Sequence, residues 1–547
     1  MLPACKKKGD DNGDDSATTE QQTNRGIQSL AERAPGDLTN AMLIRDLTKS
    51  VEGLGPMIDR VQAYVGDLSP FEADLRNTLG VDIRHPERLS EIGVKPSGQA
   101  LFYQNDDARV MMVSLSDREK FAAHVKEVLQ GAPFSLRAPV EEQEQAGQKI
   151  YQFKRSESAP VKVSVITDEA LAIVLYSMTS EAPTVEDYLT SPEENLGDNE
   201  SFQATAERLS DYPIVFWGQP ETLYAQRPAD LKFEPLKSQL ETLVDAAHSA
   251  GMGLQFRGDR LRGEYALAFD ESDEITELKE LYMRGEEAPS FAEVATGDAY
   301  AIFRLVVEPD MAVENLFERL AGIDTSVPES EQQTALNEII ERDFQETVLP
   351  AFGTHIFVAA TRARLITLSS MMDSGGPDSL GELADSFGLI MSMELRERPP
   401  VQFVIDKLIE KEIIAAEKRE EEGAIIYALK EGDDDAGTLV LENKRMTFLP
   451  RKQARELTIR LVSGETKEMD QFHTDEARSL AGRTDAAGVA LDVDEILNGP
   501  LGNLLGNAAP DQIESSFNLV DEAWLRWSFQ QNTLRAPYEF VLNERPE

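Results

Sequence analysis

LQFRGDRLRGEYALAFDE, from Leu254 to Glu271, and WSFQQNTLRAPYEFVLNE, from Trp527 to Glu544, read as one hairpin written twice. They align at a constant offset of 273 residues, with Phe, Leu, Arg, Tyr and Glu recurring in register. That offset is about half of the 547-residue chain, so the whole sequence reads as a tandem duplication.

Period-two alternation in the second strand of each copy predicts a buried and a wet face. Leu261, Tyr265, Leu267 and Phe269 fall on the apolar face, and Arg262, Glu264 and Asp270 on the other. The later copy sets Leu534, Tyr538, Phe540 and Leu542 against Arg535, Glu539 and Asn543. Gly258-Asp259 suits a two-residue turn that places Phe256 opposite Leu261, whereas Gln531-Asn532 is poorer turn chemistry and predicts a wider loop. A sheet polar on one side is the antiparallel, helix-backed kind.

Other matches keep the same order. Val215, Glu221 and Leu223 correspond to Val489, Glu495 and Leu497 at offset 274, and Ile150-Tyr151 to Ile426-Tyr427 at 276. Val163–Val165 corresponds to Leu439–Leu441 at that same shift. Apolar spacing predicts two or three helices between about Ala41 and Leu79, then a helical turn over Leu89–Val94. Strands are predicted at Ala100–Tyr103, Val110–Leu115, Ile150–Phe153, Val161–Ile166, Leu171–Tyr176 and Ile214–Trp217. Helices are predicted at Phe121–Leu129, capped by Ser116 or Asp117, at Phe202–Leu209 and at Leu236–Ala247. Glu181–Glu200 reads as a charged linker.

In the second copy strands are predicted at Tyr300–Val307, His355–Ala359 and Leu389–Leu395. Helices are predicted at Asn337–Leu349 and Val401–Ala416, and Met371–Asp378 reads as a loop. The expected fold is therefore α+β, a tandem duplication of a unit of mainly antiparallel sheets backed by helices. Its parts are a lipidated flexible tether (1–40), a first repeat (41–290) and a second repeat (291–547).

The 54 basic and 99 acidic residues leave a net charge of −45, which disfavours nucleic acid, since phosphate binding relies on a basic footprint. No stretch approaches the 18 or more apolar residues that a spanning helix requires. The single cysteine, Cys5, allows no internal disulfide.

Leu2-Pro3-Ala4-Cys5 looks like a lipobox, with Pro3 where a small residue is commoner, and KKKGDDNGDDSATTEQQTN after it has no apolar face to bury. In the box, the tether and the duplication, the chain resembles the uncharacterised, duplicated lipoproteins of Gram-negative envelopes classed as domains of unknown function. That resemblance implies lipidation at Cys5 and anchorage to a membrane of the bacterial envelope, the outer membrane first, facing periplasm or surface. It carries over no other functional residue.

Nucleophile-elbow, phosphate-loop and zinc-helix motifs are missing, and His85, His124, His248, His355 and His473 are scattered without ligand spacing. Gly499, Gly502 and Gly506 are too far apart for a dinucleotide loop. Asp433, Asp434 and Asp435 carry oxygen ligands suited to weak divalent-cation binding, and the same run reads as a solvated turn. Trp524 falls on the opposite strand face from Trp527 and Phe529, which suits either an exposed anchor or a packed core residue. The expectation is a non-enzymatic envelope protein with a binding or structural role and no cofactor, whose partners are the membrane and either an envelope protein or an apolar ligand. A carrier of an acyl chain and a hydrolase without a recognisable motif are the alternatives.

Overall fold

The computed structural model describes residues 30–65, 84–105, 108–131, 134–178, 185–220, 243, 245–283, 290–295, 299–306, 313, 317, 323, 329–361, 388–431, 434–449, 454–464, 469, 472–483, 486–493, 496 and 519–543. The chain divides into two compact units, Met1–Asp270 and Glu271–Glu547, where the sequence reading set the junction after residue 290.

Each unit holds ten described strands. In the first they are β1 (Asn40–Ile44), β2 (Ala100–Gln104), β3 (Ala108–Ser114), β4 (Glu141–Gln145), β5 (Gln148–Phe153), β6 (Val163–Thr167), β7 (Leu171–Ser177), β8 (Ile214–Gly218), β9 (Ala247–Phe256) and β10 (Arg260–Phe269). They pair antiparallel in the order β10-β9-β8-β1-β2-β3-β7-β6-β5-β4. The second unit supplies β11 (Ala299–Val306), β12 (Phe352–Thr361), β13 (Leu389–Leu395), β14 (Ala415–Glu421), β15 (Ala424–Glu431), β16 (Asp434–Leu441), β17 (Arg445–Leu449), β18 (Ala487–Asp492), β19 (Val520–Gln530) and β20 (Thr533–Leu542). Their order is β20-β19-β18-β11-β12-β13-β17-β16-β15-β14, strand for strand the same pairing scheme. The fold is α+β, and nine pairings recurring in one non-sequential order make each unit a copy of the other in topology.

The central strands of the first unit are buried on both faces, contrary to the one-sided sheet read from the hairpin. ALFY in β2, VMMV in β3 and AIVLY in β7 are continuous apolar runs, the pattern of a doubly covered strand. Leu43, Leu101, Met112 and Ile173 pack on one side with the helix Glu200–Arg208 and with Leu30, Ala31 and Ala34. Ala100, Val113 and Ala172 pack on the other, beneath the helix Arg118–Gln130. Because Leu30, Ala31 and Ala34 are at most 3% exposed, the structured unit begins well inside the stretch expected to be tether.

Three further expectations change. The supposed helical start at Ala41 is strand β1, whose alternating NAMLI lies between β2 and β8, and only then do the helices Leu47–Val51 and Leu54–Val65 follow. The charged stretch before residue 200 is no free linker, since Val185, Tyr188 and Leu196 are buried in the core. The helix predicted over Val401–Ala416 runs only Arg398–Glu410, and Ala415 opens the edge strand β14. That strand, AAEKREE, and its counterpart β4, EEQEQ, have no fully buried side chain, and charge of this kind discourages pairing with another chain at a sheet edge.

The hairpins keep the predicted register and lose the predicted faces. Phe256 pairs with Leu261 around Gly258, whose φ is 76°, and Gln531, with φ 56°, closes an equally tight turn between Gln530 and Thr533. On β10, however, Glu264, Ala266 and Ala268 are buried while Tyr265 is 49% exposed. The cause is Tyr212, whose ring lies so close to Gly253 that a Cβ there would meet it at 2.4 Å. Its hydroxyl donates to Glu264 at 3.2 Å, satisfying the buried carboxylate. On β20 Tyr538 is buried as expected, but so is Glu539, and Phe540 is 38% exposed.

Candidate functional site

The first unit contains a cavity of about 450 Å³ between the sheet and the helix Arg118–Gln130, within the ordinary size range of ligand pockets, about 300–1,000 Å³. Its floor is the second face of the sheet, with Ile44 of β1, Ala100 and Phe102 of β2, Met111 and Val113 of β3, and Val174 of β7. The roof is the inner face of the helix, carrying Phe121, His124, Val125, Val128 and Leu129, whose spacing of three and four residues sets them on one side. Leu47 and Val51, together with Pro86, Leu89 and Ile92 of the 3-10 helix Pro86–Ile92, form the remaining wall. Ser50, His124 and Tyr176 are the polar residues in a lining that is otherwise apolar.

Local sequence fixes these walls. Asp117 caps the roof helix by accepting from the amides of Glu119 and Lys120, at 3.1 Å each. Gly93 ends the 3-10 helix with φ 81°, and its carbonyl accepts from the amides of Ser116 and Asp117 at 2.8 and 3.0 Å. A Cβ at Gly93 would stand 2.2 Å from the Asp117 carbonyl oxygen, so glycine is required for the two wall elements to meet. Inside, Phe121 and Leu129 are buried, whereas Leu47, Phe102, Val125, Val128 and Val174 are only half-buried. A lining this apolar offers water few polar partners and suits apolar guests.

The second unit is an internal control. Counted from their N-caps, Asp117 and Glu397, the helices Arg118–Gln130 and Arg398–Glu410 set Phe121, His124, Val125 and Val128 against Val401, Val404, Ile405 and Leu408. These four residues of the second unit are no more than 1% exposed. They share a core with Phe317, Phe344 and Phe352, whose rings pack at centroid distances of 5.4 and 5.9 Å about Phe317. The same roof is sealed in one repeat and stands over a hollow in the other.

The second unit also buries charged and polar side chains. His355 and Arg304, both fully buried, lie with His355 Nδ1 3.5 Å from Arg304 Nη2, while Glu394 accepts from the amides of Thr354 and His355 at 3.1 and 3.2 Å. Burial, with the neighbouring guanidinium, lowers the His355 pKa to about 4, so its imidazole is neutral at physiological pH. Arg445 bridges Glu293 at 2.5 Å and Glu442 at 2.6 Å and donates to the Ser290 carbonyl; burial pushes the Glu442 carboxyl up against the pull of Arg445.

The residues singled out in the sequence are not brought together. Cys5, Gly499, Gly502, Gly506 and Asp433 lie outside the described residues, while Asp435 is engaged by Lys430 at 2.6 Å on the β15–β16 hairpin that Asp434 also joins. Among the described residues no group of three or more His, Cys, Asp or Glu side chains is placed to hold a metal ion. His85 contacts Glu87, His248 contacts Asp270 and His473 contacts Asp521. Trp524 is 6% exposed and packs in the core. Only His124 reaches the cavity, which sequence reading did not find. The signal was present in the paired helices, where His124 occupies the inner position that Val404 fills in the second copy.

Among the described residues no helix is long and apolar enough to cross a membrane. No family model and no curated protein matches the chain. Among solved structures, crystal form I of TP0453 is similar at 10% identity, covering 46% of this chain and 83% of that one with a TM-score of 0.24. Crystal form IV of TP0453 is similar at 9% identity, covering 47% and 87% with a TM-score of 0.25.

Proposed function

We propose that this protein is a lipid-anchored envelope protein whose first repeat binds the apolar chain of an amphiphile, with the second repeat serving as its filled, rigid counterpart. The observation that carries the binding role is the cavity beneath Arg118–Gln130, lined almost wholly by aliphatic and aromatic side chains. Each methylene moved from water into such a site is worth about 0.8 kcal/mol, so a single acyl chain supplies enough gross energy to offset the cost of association. The carrier reading thus draws more support than a purely structural one, since a scaffold gains nothing from leaving half-buried valines along a helix whose duplicate seals the same positions. Anchorage through Cys5 rests on the Leu2-Pro3-Ala4-Cys5 box and the polar stretch after it.

The test is displacement of a fluorescent fatty-acid probe from the purified chain, with Val128→Trp as the variant that narrows the hollow. Saturable binding by the natural protein and weaker binding by a folded Val128→Trp variant are expected. Failure of the natural protein to bind the probe, or equal binding by both, overturns the proposal.

A further inference from the structure

A second cleft adjoins the cavity, and charged side chains stand along its otherwise largely apolar lining. Of its lining residues Val51 and Pro86 also line the apolar chamber, so the two spaces border one another at those residues. The cleft runs between Leu47–Val51, the start of Leu54–Val65 and the loop bearing Pro96 and Ser97. Its charged residues are Asp46, Lys49, Glu52, Arg84 and Glu87. Three of these are already committed: Asp46 caps its helix by accepting from the Lys49 amide, Arg84 is paired with Asp59 at 2.7 Å, and Glu87 contacts His85 at 3.1 Å. The side chains of Lys49 and Glu52 make no hydrogen bond or ion pair among the described residues. One ammonium and one carboxylate, both exposed, therefore stand at the cleft without a partner among those residues.

We infer that the ligand of the first repeat is a zwitterionic amphiphile, its apolar chain in the cavity and a head carrying one anionic and one cationic group in the adjoining cleft, with Lys49 meeting the anionic group and Glu52 the cationic one. This rests on the cavity reading and adds the head. With Asp46, Arg84 and Glu87 already engaged, a purely anionic head would gain Lys49 but meet Glu52, and a purely cationic one would gain Glu52 but meet Lys49. A head of both signs finds one partner for each charge.

Single-chain amphiphiles of equal chain length, held below their micelle concentrations, separate these cases: dodecylphosphocholine, dodecyl phosphate and dodecyltrimethylammonium, each displacing the fluorescent fatty-acid probe. The zwitterion should bind the most tightly of the three, and Lys49→Glu or Glu52→Lys should each weaken it about two- to fivefold, the size of an exposed charge contact. The double variant Lys49→Glu/Glu52→Lys, which exchanges the two charges, should recover part of the loss. Equal affinity for the three heads, or indifference to both single variants, overturns the assignment of the head while leaving chain binding intact. Absence of binding by all three and by the probe overturns the cavity reading itself, and the assignment of the head with it.

Discussion

The contrast between a hollow and a sealed repeat makes a paired prediction. Val128 and Leu408 occupy the same helical position, the first half-buried on the cavity and the second fully buried. Val128→Trp has room to enter a hollow of about 450 Å³. If about 100 Å² of extra apolar surface leaves water there, the gain is about 2.5 kcal/mol before side-chain ordering, which removes on the order of 1 kcal/mol. The net expectation is an unchanged or slightly stabilised first unit, by up to about 1.5 kcal/mol. At Leu408 the same residue must be forced among Val401, Val404 and Ile405, and overpacking of this kind costs about 1–3 kcal/mol. Urea denaturation followed by tryptophan fluorescence and circular dichroism resolves both, with transitions assigned to each unit rather than fitted as one two-state event. At about 2–4 °C per kcal/mol for units of this size, the melting temperatures should part by several degrees. If Val128→Trp destabilises as much as Leu408→Trp, the space beneath the first roof is not open to a side chain, and the argument for a ligand there fails with it.

Two other perturbations read the second unit. Since the folded His355 takes up a proton only near pH 4 while the unfolded one does so near 6.5, the unfolded state binds the extra proton between these values. Stability from this residue is therefore complete above about pH 6.5 and lost as pH falls towards about 4, by at most about 3 kcal/mol, and His355→Phe should flatten that slope in urea titrations at stepped pH. An unaltered slope would show that the imidazole titrates as in water. Arg445→Met should destabilise by about 3–5 kcal/mol by leaving the Glu293 and Glu442 carboxylates together without their cation, and a loss below about 1 kcal/mol would mean that water replaces it.

The fold was legible where a residue's own neighbours decide its state. Hairpin register followed from Gly258, and the helix over Phe121–Leu129 from Asp117 and its apolar spacing. Face assignment failed on β10 because alternation marks two faces without saying which neighbour covers each. Tyr212, far away in sequence, buries Glu264 and leaves Tyr265 outside. Edge strands β4 and β14 were missed for a related reason: EEQEQ and AAEKREE lack the apolar alternation of a half-buried strand and extend only because β5 and β15 offer them a pairing edge. The same logic misread NAMLI, whose short apolar alternation fits a helix start until β2 and β8 are seen on either side of it.

The cavity was illegible for a deeper reason, since a hollow is a difference between volumes and no single residue announces it. Phe121, Val125 and Val128 have an ordinary core pattern, and nothing in them says that the floor stays out of reach. The duplication supplies what a lone sequence lacks, because it gives the same roof twice. Val404, Ile405 and Leu408 in the second copy meet residues that close over them, whereas His124, Val125 and Val128 in the first do not. A polar residue placed on the inner face of one copy, with a smaller side chain at the position of Leu408, is the trace that such a difference leaves. Cores fill when nothing opposes it, because each unfilled space forfeits contacts on all the atoms that line it. Two repeats of one topology, one filled and one hollow, are the arrangement that the proposed apolar ligand of the first repeat calls for, and the chemistry of the lining favours an apolar occupant of that space.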